Sequence, residues 1–67
     1  MYQVSRYYIE VGDLVRVVAR DSINFNDTGL VTDVMEGNDG FNNFEVVFPH
    51  DRGWYQDVEL RVINESR

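Results

Sequence analysis

Sixty-seven residues make one domain, and at that size folding removes only about 60% of the unfolded chain's surface from water, so a rich core is required. The absence of cysteine excludes a disulfide framework and a thiolate metal centre, and a single histidine, His50, excludes a multi-histidine one. Twelve acidic against six basic residues give a net charge of −6, a balance that repels phosphate backbones and anionic membranes.

Every basic residue is an arginine: Arg6, Arg16, Arg20, Arg52, Arg61 and Arg67. Between Asp21 and Glu59 only Arg52 is basic, and the acids Asp27, Asp33, Glu36, Asp39, Glu45, Asp51 and Asp57 fall in the same stretch. That surface keeps the chain in solution and suits a basic protein partner. No apolar run approaches the roughly 20 residues of a membrane helix. No apolar core follows a basic start, so no signal peptide is expected. Asn26-Asp27-Thr28 and Asn64-Glu65-Ser66 match the glycosylation sequon and are read as chance.

Met1 to Tyr8 has no clear period; Tyr2, Val4, Tyr7 and Tyr8 fit either an added strand or an arm, and partial order is expected from their apolar rings. Ile9 to Asp13 reads as an opening turn around Gly12. Leu14 to Arg20 is the first strand, with Val15, Val17 and Ala19 inward and both arginines on the other face. Asp21 to Thr28 is a loop of turn formers, from which Ile23 and Phe25 are expected to fold back as a lid. Gly29 to Glu36 is the second strand, its glycine marking a bend or a close approach.

Gly37-Asn38-Asp39-Gly40 is the strongest hairpin signal in the chain. Asn43 to Phe48 returns as the third strand, with Phe44, Val46 and Phe48 inward. Pro49 ends that ladder, because it lacks an N–H. Gly53 to Gln56 is a fourth strand, Asp57 to Glu59 a single helical turn, and Leu60 to Ile63 the closing strand. Short strands with no helix pattern between them predict an all-β fold: a small five-stranded antiparallel barrel over 9–63, with an arm at 1–8 and a tail at 64–67.

Several segments carry a family resemblance: Val15-Arg16-Val17, Asp21-Ser22, Phe25-Asn26, Gly29-Leu30-Val31, Val34, Phe44 to Phe48, and Glu59-Leu60-Arg61-Val62. In these the chain resembles the SH3-like small-barrel superfamily, which includes the KOW modules. Within it, the pattern is similar to that of the photosystem I reaction-centre subunit IV family. The resemblance implies a non-catalytic accessory subunit that assists ferredoxin docking on the stromal side. A docking surface for acidic ferredoxin needs basic residues, and here Arg16, Arg20 and Arg52 are the ones the fold would have to gather.

Ser22, His50 and Asp51 supply the residue types of a hydrolase triad, but adjacency of His50 and Asp51 on a turn does not produce triad geometry. Asp33, Glu36, Asn38 and Asp39 lack the spacing of a calcium loop. No catalytic residue, metal or cofactor is therefore expected. Trp54 and Tyr55 should point to opposite faces, one into the core and one outward, where exposed aromatics favour protein contacts. Nucleic-acid binding is disfavoured by charge. The reading is a non-enzymatic protein-interaction module, intracellular and soluble or peripheral to a complex. Its contact residues are Arg16, Arg20, Arg52, Trp54 and Tyr55, and self-association through an open strand edge is a further expectation.

Overall fold

The computed structural model of the protein describes residues 9–63. The expected arm at 1–8, with its added strand, and the tail at 64–67 lie outside the described residues. Within 9–63 the chain forms β1 (Leu14–Val17), β2 (Thr28–Glu36), β3 (Asn42–Val47), β4 (Arg52–Gln56) and β5 (Leu60–Val62). A one-turn 3-10 helix, Asp57–Glu59, precedes β5. All pairings are antiparallel, in the order β4-β3-β2-β1-β5.

The fold is all-β and five-stranded, as the alternation implies, but the sheet stays open. Closure would need hydrogen bonds between the outermost strands. Here β4 and β5 are those strands, and the short helix, not a ladder, joins them. β5 has three residues, all opposite β1, and it makes no ladder with β4.

Alternation decides the interior. Val15, Val17, Val31, Phe44 and Val46 are fully buried, and Ile9, Phe48, Tyr55 and Leu60 complete the cluster. The cross-strand register stacks them: Val31 opposite Val46, Phe44 opposite Tyr55, Val17 opposite Leu60. Gly29 sits opposite Val15 on this inner face. A Cβ there would lie 2.5 Å from Val46 Cγ1 and 2.8 Å from the Val47 carbonyl oxygen, so only glycine lets β2 and β3 pack this closely.

Local chemistry sets the turns. Gly12 has φ +100° and donates its N–H to the Val31 carbonyl, 2.8 Å. Asp13 Oδ2 accepts the Glu10 N–H across the same turn, 3.0 Å. At the β2–β3 hairpin Gly37 N–H reaches the Phe41 carbonyl, 2.8 Å, and Gly40 takes φ +85°.

Two expectations are corrected. β1 ends at Val17, not Arg20, because the following loop turns immediately: Ser22 N–H donates to the Ala19 carbonyl and Asn26 N–H to that of Val17. The expected lid of Ile23 and Phe25 does not form either. Ile23 is 92% exposed and Phe25 stands outside, with the Arg20 guanidinium 5.7 Å from its ring centre. The residue between them, Asn24, is the buried one at 8% exposure. A loop of consecutive turns sends one side chain in, and a hydrogen-bonding partner inside selected the amide.

Candidate interaction surface

The outer face of the sheet follows from the same register. Leu14 lies opposite Leu30, Leu30 opposite Val47, and Val47 opposite Arg52. Residues directly opposite share a face. The three aliphatic side chains therefore form one row across β1, β2 and β3, 42%, 42% and 37% exposed.

The row has two different borders. On one side Arg16 is opposite Thr28 on β2 and Arg61 on β5. On the other, Glu45 is opposite Trp54, whose indole is 46% exposed. A register shift between Val31 and Asp33 puts both Thr32 and Asp33 against Glu45. The Thr32 hydroxyl donates to Glu45 Oε1 at 3.0 Å, and Arg52 pairs with Glu45 Oε2 at 3.5 Å. That ion pair is solvated and contributes little to stability.

The two sheet edges are unequal. Phe48 N–H donates to the Asp51 carbonyl at 2.7 Å. Antiparallel ladders alternate, so Val46–Gly53 and Phe44–Tyr55 are the next hydrogen-bonded pairs. The N–H and C=O groups of Arg52 and Trp54 then face away from β3, along the open edge. The Gln56 N–H is already taken by Glu59 Oε1, 2.8 Å. On β5 the same alternation turns the N–H and C=O groups of Leu60 and Val62 outward, but the Leu60 N–H is capped by the Asp57 carbonyl, which leaves Val62 alone with both groups open. β4 is the edge with backbone capacity to spare.

The residues expected to make contacts are thus dispersed. Arg52 and Trp54 share the outer face of β4. Arg16 stands three strands away from β4, on β1, beside Arg61. Arg20 belongs to the loop and stacks on Phe25. Tyr55 is 8% exposed and faces the core, edge-on to Phe48 with ring centres 6.0 Å apart. Its neighbour Trp54 is the outward aromatic, as alternation requires. Leu14, Leu30, Val47 and Arg61 carry no signal individually; only strand pairing lines them up.

A second feature lies at the end of the sheet. Asn24 Nδ2 donates to the Tyr55 hydroxyl at 2.9 Å and to Asp51 Oδ2 at 3.3 Å. The Ser22 hydroxyl accepts the Asn24 N–H at 3.0 Å and hydrogen-bonds the Tyr55 hydroxyl at 3.4 Å. Ser22 is therefore engaged in holding the loop. Between this loop and the β3–β4 turn is a cleft of about 240 Å³, lined by Asn24, Asp27, Thr28, Phe48, Pro49, His50 and Asp51. No helix among the described residues is long and apolar enough to cross a membrane. No protein-family model, curated protein or solved structure matches this chain.

Proposed function

We propose that the protein is a non-enzymatic interaction module that accepts an extended segment of a protein partner along β4. The observation that carries this reading is the coincidence, at Trp54, of an exposed indole with an open strand edge. An added strand would satisfy the free N–H and C=O groups of Arg52 and Trp54, and its side chains would reach the indole. The aliphatic row Leu14–Leu30–Val47 continues the contact surface across the sheet. The Ser22 hydroxyl is committed to Asn24 and Tyr55, which favours a structural over a catalytic role for it.

Most of the segments that carry the family resemblance fall on strands of the open sheet. Val15 to Val17 is in β1, Gly29 to Val31 in β2, Phe44 to Val47 in β3, and Leu60 to Val62 is β5 after its helical turn. The ferredoxin-docking part has weaker support, since Arg16, Arg20 and Arg52 lie apart and Arg52 faces Glu45.

The test is site-specific photo-crosslinking in cells that make the protein. A benzophenone side chain at Trp54 should trap one discrete partner, and the same group at exposed Ile23 should not. Identical adducts from both positions would defeat the reading. An adduct at twice the chain mass would identify the partner as a second copy.

A further inference from the structure

We infer that the cleft between the Asn24 loop and the β3–β4 turn receives the cationic side chain, lysine or arginine, of a basic polypeptide. Its wall carries the Asp27 and Asp51 carboxylates and the Asn24 amide, beside the Thr28 hydroxyl and the His50 imidazole. Asn24 is more than nine-tenths buried and lines the cleft. Its amide nitrogen is engaged by Tyr55 and Asp51, while its Oδ1 has no hydrogen-bond partner among the described residues. No fully buried side-chain oxygen among those residues lacks a partner. Asn24 Oδ1 is then not fully enclosed, and Asn24 is one of the residues that form the cleft wall.

The Asp27 and Asp51 carboxylates line the same space. Asp27 has no side-chain hydrogen bond or ion pair among the described residues. Phe48 and Pro49 add an apolar wall, suited to the methylenes of a long side chain whose charged end seeks the carboxylates. The volume admits one such side chain in place of several waters.

Ligand charge follows from the same inventory. An anion would meet two carboxylates and a chain of net charge −6. A bare metal ion is a poor fit, because among the described residues no three acidic, histidine or cysteine side chains come together to hold one. An ammonium or guanidinium carries its own donors and needs only scattered acceptors. The field of the acidic chain draws a basic partner towards the cleft. The site is separate from the β4 edge and does not depend on it.

Amide chemical shifts of the ¹⁵N-labelled full chain test this. The probes are blocked Gly-Lys-Gly and Gly-Arg-Gly peptides, with the norleucine and glutamate peptides as controls. The cationic peptides should shift the Asn24, Thr28, Phe48 and Asp51 signals saturably, and the controls should not. Asp27→Asn should weaken that binding at least threefold with an unchanged melting temperature, and Trp54→Ala should leave it intact. Equal shifts from norleucine, undiminished binding to Asp27→Asn, or unsaturable shifts spread over the whole acidic surface would each overturn the assignment.

Discussion

Asn24 and Tyr55, thirty-one positions apart, meet through a 2.9 Å hydrogen bond from the amide nitrogen to the phenol oxygen. This contact ties an irregular loop to the Phe44–Tyr55 pair of the β3–β4 ladder. A buried amide without a partner costs about 1–3 kcal/mol.

Tyr55→Phe keeps the core ring but removes the acceptor, so it should destabilise the fold by about 1–2 kcal/mol. Asn24→Ala should cost a similar amount. Because both remove the shared Asn24–Tyr55 bond, the double variant should lose less than the sum, a coupling visible in urea unfolding. Strict additivity would mean that the bond does not hold the loop.

Gly29 and Gly12 are glycine for different reasons, and alanine separates them. At Gly29 the added methyl meets Val46 and the β3 backbone, so Gly29→Ala should destabilise by about 1–3 kcal/mol through overpacking. Val46→Ala in the same chain should recover part of that loss. At Gly12 there is free space but φ is +100°, so Gly12→Ala should cost about 1–2 kcal/mol with no rescue from Val46. Thermal melts of the four variants decide this.

Leu30 and Val31 are neighbours on opposite faces of β2. Val31→Thr places a hydroxyl in the fully buried interior and should cost about 1–3 kcal/mol. Leu30→Thr, on the half-solvated outer row, should change stability by no more than about 0.5 kcal/mol. In a domain this small about 1 kcal/mol moves the melting temperature by roughly 4–8 °C, so the two variants are easily told apart. The reverse order would place the register one residue off.

Proline reads the β4 edge directly. The Trp54 N–H faces away from β3, so Trp54→Pro should fold with modest loss. The Tyr55 N–H belongs to the ladder with Phe44, so Tyr55→Pro should abolish the β signal in circular dichroism. If both variants unfold, the edge of β4 is not free, and the proposed added strand has nowhere to bind.

The all-β class, the five strands, the Gly37–Gly40 hairpin and the helical turn before β5 are written locally. Each depends on alternation, on positive-φ residues or on a missing N–H at Pro49, and those effects act within a few positions. The same alternation separates Trp54 from Tyr55. Tertiary pairing decided the rest. The Leu14–Leu30–Val47 row and the Arg16–Arg61 juxtaposition exist only in a register between distant strands. The burial of Asn24 in place of Ile23 and Phe25 required Tyr55 to present its hydroxyl from the other end of the chain. Whether the sheet closed was likewise a matter of tertiary placement: β4 and β5 lie at its two ends without pairing, although alternation within each strand is the same in an open and a closed sheet.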